Sequence, residues 1–314
     1  MGVSALPAVD AFVAGLVDYA GLFPPAGLDM AAAVSNYGAY RSDVHARVLG
    51  RFIVPTARLQ EFRAAAAALL PRRRDDPPWR LAALGGSDVA SDIAAMRAMG
   101  VLANHAGEVV DADEHAHAVS AVVDALEVKA STVAEIVAIR AVVPPDLELF
   151  VEVPLDPDPA VLLTALAAAH AGAKMRTGGV TADAIPSAGH VARFLMSAAR
   201  IRVPFKATAG LHHAIRGRYP LTYAPDSPEA VMHGFVNVFA GATLARAGGS
   251  LGEVTALLEE TVASAFRFGP TGLRWRNRQL VLAQLGDTRE HFARSFGSCS
   301  FREPVQDLEA WRLL

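Results

Sequence analysis

Short β-branched and aromatic runs alternate with longer Ala- and Leu-rich stretches along most of this sequence, and few folds accommodate that rhythm. Eight runs read as strands: Val17–Phe23, Val48–Val54, Arg80–Leu84, Ala125–Lys129, Leu147–Val153, Ala173–Arg176, Val203–Thr208 and Phe235–Phe239. Helical patterns follow most of them, at Arg58–Leu70, Ser91–Met99, Val133–Val142, Ala160–His170, Ser187–Arg200 and Leu251–Ala265. Asp88 and Ser187 stand where N-caps belong. Strand–helix repetition of this kind builds a parallel sheet, and eight units close it into a (β/α)8 TIM-type barrel. An open doubly wound sheet is the alternative.

The expected barrel occupies residues 1–266. Residues 267–314, with Trp275 and the Phe296–Phe301 segment, read as a C-terminal extension packed on it, the whole forming one domain. Of the 314 residues, 52% are hydrophobic and 19% charged, enough apolar material for a large core. Lys and Arg number 29 against 32 Asp and Glu, evenly mixed, which excludes a basic footprint for nucleic acid or an anionic membrane. The run Arg72-Arg73-Arg74 is answered by Asp75-Asp76 and reads as a solvated loop. With Cys299 as its one cysteine, the chain holds no intrachain disulfide and no cysteine-based metal site. No stretch reads as a signal or a membrane span, so a cytoplasmic protein is expected, with a homodimer as the default assembly.

In such a barrel the chemistry gathers at the C-terminal strand ends. The polar residues there are Asp18, Glu127, Lys129, Glu152, Lys174, Arg176, Lys206, Thr208 and, on the expected eighth strand, Asn237. Lys174 and Lys206 lie on consecutive strands, ~4.8 Å apart in a parallel sheet. Crowding and burial disfavour protonation, so one amine is expected to lose its proton and serve as a nucleophile toward a carbonyl. The bland reading is that both pair with Glu127 and Glu152. Gly178, Gly179 and Gly210 would let backbone approach a ligand. His212 is a candidate proton carrier and Arg216 an anion clamp, with His213 beside them. A metal would need Glu152, His233 or Asp18 as well, and neither metal nor cofactor is expected. Cys299 reads as a buried, inert thiol.

Lys174-Met-Arg-Thr177-Gly178-Gly179 and Lys206-Ala-Thr-Ala-Gly210 resemble the paired lysine segments of class I aldolases of the deoxyribose-phosphate aldolase type. The resemblance implies Lys174 as the Schiff-base lysine and Lys206 as the amine that tunes it. Glu152 and His212 would then move protons. Arg176, Thr177, Gly178, Gly179, Thr208, His213, Arg216, Asn237, Lys129, Glu127 and Asp18 would bind a small, anionic carbonyl substrate. Two alternatives stand beside this lyase. One is a transferase or phosphoribosyl-type barrel whose Lys and Arg hold phosphates without covalent catalysis. The other is a non-catalytic binding barrel.

Overall fold

The computed structural model describes residues 6–73, 76–102 and 120–314; Arg74 and Asp75 of the charged run fall outside them. Seven barrel strands lie close to where the sequence places them: β1 (Val17–Tyr19), β2 (Leu49–Pro55), β3 (Trp79–Leu84), β4 (Ala121–Lys129), β5 (Glu148–Glu152), β6 (Gly172–Arg176) and β7 (Phe205–Thr208). A hairpin of β8 (Gly217–Pro220) and β9 (Glu229–Met232) follows. Next comes an antiparallel sheet of β10 (Phe266–Gly269), β11 (Gly272–Trp275) and β12 (Arg278–Val281), and last β13 (Ala293–Ser298). The closed barrel runs β1-β13-β7-β6-β5-β4-β3-β2, every neighbour parallel. It is a TIM-type barrel, not an open sheet.

The helices are α1 (Pro7–Val13), α2 (Met30–Arg41), α3 (Leu59–Ala66), α4 (Val89–Ala98), α5 (Val133–Val142), α6 (Ala160–Ala168), α7 (Ala188–Ile201), α8 (Phe235–Arg246), α9 (Leu251–Leu258), α10 (Leu282–His291) and α11 (Arg302–Ala310). Side-chain oxygens set several starts. Asp88 accepts from Ser91 N and Ser187 from His190 N, as their positions suggest. Thr132 with Glu135 and Ser250 with Glu253 form capping boxes at α5 and α9. Among the described residues no helix is long and apolar enough to cross a membrane.

One strand corrects the sequence reading. Phe235–Phe239 opens α8, and the eighth barrel strand is Ala293–Ser298, inside the segment expected to pack outside the barrel. The error has a physical cause. Every residue from Phe235 to Ala245 is buried, so this helix shows no polar face to reveal its period, and a short apolar run is ambiguous between strand and helix. The true strand, Ala-Arg-Ser-Phe-Gly-Ser, carries small polar residues where the barrel interior is ionic rather than apolar.

That interior is unusual in composition. The main hydrophobic core lies between barrel and helices, with Phe12, Phe205, Phe239, Phe292 and Phe296 packed ring against ring. Within the barrel, Ala20, Ile53, Ala82 and Ala125 form a separate small apolar cluster. Around it the interior carries Asp18, Glu127, Lys174 and Lys206, all buried, together with Phe150 and Ser295.

Candidate functional site

Alternation along a strand sends every second residue inward, so β4 directs Glu127 and Lys129 to one face and β6 does the same with Lys174 and Arg176. Register then sets their heights: Lys174 lies beside Lys206, Glu152 beside Lys174, and Lys129 beside Glu152. The two lysines are therefore neighbours, as their spacing predicts.

They are not two crowded free amines. Lys206 Nζ lies 2.6 Å from Asp18 Oδ2 and 2.5 Å from Glu127 Oε1, and Lys174 Nζ lies 3.0 Å from Glu127 Oε2 and 3.2 Å from Glu152 Oε2. Charges alternate from Asp18 through Lys206, Glu127 and Lys174 to Glu152, where Arg176 Nε closes the series at 3.1 Å and Lys129 stands 3.9 Å off. Burial alone would strip the proton from Lys206, but Asp18 and Glu127 overcome it and raise its pKa. Burial likewise favours neutral Glu127, and Lys206 with Lys174 reverses this, holding the carboxyl down at about 2. The pairing of both lysines with Glu127 and Glu152, the bland reading of the sequence, is the arrangement found, with Asp18 added to it. The ion pairing argues against a free Schiff-base lysine at either position.

Asp18 is a floor residue. Its Oδ1 accepts from Arg51 N at 2.6 Å and its Oδ2 from the Ser295 hydroxyl at 2.6 Å. Above it a cavity of about 390 Å³ opens at the C-terminal strand ends. Glu127, Lys129, Glu152, Lys174, Arg176, Gly179, Thr208 and His212 line it, with Phe23, Pro24 and Pro25 as an apolar wall. Lys206 lies beneath, its amine 5.3 Å from the Phe150 ring. Glu152 Oε2 is buried against Lys174 at 3.2 Å, while its carboxylate as a whole lines the cavity.

Other expected site residues have different work. The Thr177 hydroxyl donates to Ala209 O at 2.5 Å, tying the β6 turn to the β7 turn. A Cβ on Gly178 would stand 2.9 Å from Gly210 Cα, and Gly210 has φ +78°, so these glycines allow two backbones to touch, with Gly210 on the cavity wall. His213 pairs with Asp307 at 3.3 Å and stacks on Tyr219 at 3.7 Å between centroids. The Arg216 guanidinium faces His233 Nδ1 at 3.3 Å and is not part of the cavity wall. Asn237, expected on a strand, lies in α8. There its amide donates to Leu257 O and Glu260 O while its Oδ1 accepts from Arg216 N. Among the described residues no group of three or more His, Cys, Asp or Glu is arranged to hold a metal.

Cys299 sits on the cavity wall in company the sequence does not disclose. His212 Nδ1 is 2.9 Å from Glu303 Oε2 and 4.0 Å from Cys299 Sγ, and the Tyr223 hydroxyl donates to the same Glu303 oxygen at 2.8 Å. Glu303 comes from α11, 91 residues beyond His212, and Tyr223 from the tip of the β8–β9 hairpin, so no local pattern signals their meeting. Burial works against a charged His212, yet Cys299 and Glu303 raise it from 6.5 to about 9. A raised folded-state pKa stabilises fully below about pH 6.5, and this contribution is lost as pH rises through about 9. NMR titration of His212 should show that late midpoint, and Glu303→Gln should shift it down toward 6.5. An unchanged midpoint in the variant would remove Glu303 as the cause.

No family model, no curated protein and no solved structure matches this chain. The barrel and its charged mouth are compatible with an enzyme or a ligand-binding protein, and the site's own geometry is what distinguishes between readings.

Proposed function

We propose that the barrel mouth binds a small hydroxylated anion, a carboxylate or a phosphate monoester, and acts on it without a covalent lysine intermediate. This is the transferase or phosphoribosyl-type reading rather than the Schiff-base lyase. The observation that carries it is the distribution of cations. Both lysine amines deep in the barrel are consumed by carboxylates, whereas the rim cations remain accessible, with Arg176 43% and Lys129 71% exposed in their side chains. A guanidinium suits a planar or tetrahedral oxyanion because its parallel N–H groups match two oxygens. The Glu152 carboxylate on the cavity wall suits a ligand hydroxyl, and His212, whose pKa is raised to about 9, supplies a proton donor on the same wall. Apolar contacts from Phe23 and Pro24 would cover the ligand's carbon skeleton.

Calorimetry with inorganic phosphate and glycerol 1-phosphate tests this. Arg176→Gln should weaken mouth binding ~10- to 100-fold, the loss expected for hydrogen bonds to a charged group. In parallel, borohydride treatment with a panel of aldehydes and ketones should leave Lys174 unmodified. A reduced adduct on Lys174 would restore the aldolase-like reading. Binding indifferent to Arg176 would remove the anion site.

A further inference from the structure

The opposite end of the barrel holds a second cavity, of about 660 Å³, at the N-terminal ends of β1, β2, β3 and β13. Arg41, Arg51, Arg80, Arg289 and Arg294 face it. Their charge is not fully answered. Arg51, Arg80 and Arg294 share two carboxylates: Asp124 lies 2.6 Å from Arg51 and 2.5 Å from Arg80, while Glu148 lies 2.6 Å from Arg51 and 3.3 Å from Arg294. Arg41 donates to Pro77 O and Pro78 O. Arg289 is buried and donates to four backbone carbonyls, those of Phe12, Ala14, Ala293 and Arg294. Among the described residues neither Arg41 nor Arg289 has a carboxylate within ion-pair distance. Of the acids on the cavity wall, Asp18 is already neutralised by Lys206 at 2.6 Å, and the Glu290 side chain is 74% exposed.

Carbonyl acceptors satisfy N–H groups but leave the net positive charge in place, and burying that charge is costly without an anion nearby. The surplus is made of guanidiniums, whose forked donors fit phosphate oxygens in pairs. We propose that this N-terminal cavity is an anion-binding site, separate from the mouth, that takes a phosphate or the phosphate group of a small phosphomonoester. Its size leaves room for an organic body beyond the phosphate. Asp18 borders the cavity through the same side chain that pairs with Lys206, so the occupant would sit against the lower end of the ionic series that reaches the mouth.

The test isolates this cavity by using the full-length Arg176→Gln protein, in which the proposed mouth site is weakened ~10- to 100-fold. Calorimetric titration with inorganic phosphate, and separately with glycerol 1-phosphate, at constant low ionic strength should still show one site. Adding Arg41→Gln or Arg294→Gln to that background should weaken it at least ~10-fold, consistent with losing a charged hydrogen bond, while circular dichroism reports an intact fold. The two substitutions lie on different elements, so Arg294→Gln decides the matter if Arg41→Gln fails to fold. Tighter binding of glycerol 1-phosphate than of phosphate would identify the phosphomonoester as the preferred form, and equal binding the free oxyanion. Absence of phosphate binding in Arg176→Gln, or binding that survives both second substitutions unchanged, would overturn the proposal. If Arg176→Gln binds as the wild type does and only Arg294→Gln weakens it, the mouth reading fails and the N-terminal site stands alone.

Discussion

Glu127→Gln is expected to destabilise the fold by on the order of 3–5 kcal/mol, the usual consequence of removing one partner from a buried ion pair. Glu127 is 1% exposed, and its two oxygens contact the two lysines separately, Oε1 with Lys206 and Oε2 with Lys174. Glutamine preserves the shape, but its NH2 group would face an ammonium. Each lysine would then depend on one remaining carboxylate, Asp18 or Glu152. The same residue sets an acid limit. Its folded-state pKa of about 2 lies below the ordinary 4.5, so its stabilising contribution is complete above about pH 4.5 and is lost as pH falls toward 2. Urea unfolding across that range should show a shallower acid decline in Glu127→Gln than in the wild type. A variant with unchanged urea midpoint at pH 7 would show that Glu127 does not hold the ionic series together.

Lys206→Met removes the other central charge and should cost a similar amount, on the order of 3–5 kcal/mol at pH 7. The amine separates Asp18 from Glu127, with both carboxylates within 2.6 Å of it. Without it two buried acids face each other, and one should take up a proton at neutral pH. The sign of the pH response then reverses. A carboxyl whose folded pKa is raised binds protons more readily in the native state, so the variant should gain stability as pH falls from 7 toward 5. Combining the two substitutions should cost less than their sum, by about 0.5–3 kcal/mol, because each removes what the other leaves uncompensated. Strict additivity would mean that the ions act independently. Urea unfolding of the wild type, both singles and the double variant measures all of this.

The sequence discloses the barrel better than it discloses the site. Seven strands are legible because each is a short run, mostly apolar, set off from a longer Ala-rich helix, and caps such as Asp88 and Ser187 mark the boundaries. The inward placement of Glu127, Lys129, Glu152, Lys174 and Arg176 follows from alternation alone. What local pattern cannot reveal is which charge meets which. Asp18 neutralises Lys206 only because β1 and β7 both border β13, a strand that lies in the stretch read as a C-terminal extension outside the barrel. Misplacing that strand also placed Asn237 at the mouth and hid Cys299, which follows β13 directly. Tyr223 and Glu303 join His212 through contacts 80 and 91 residues apart, beyond the reach of any motif.

The late position of β13 also bears on how the chain acquires its structure. Val17 pairs on one side with Leu49 and on the other with Phe296, so the first strand gains its second neighbour only once a segment about 280 residues later has been made. Contacts spanning such separations form slowly because a long loop must be closed before they contribute. Until then β1 and β7 present open edges, and Asp18 lacks the Ser295 hydroxyl. A nascent chain released before Ala293–Ser298 emerges would expose pairing edges to other chains, making that interval the period of greatest aggregation risk during synthesis.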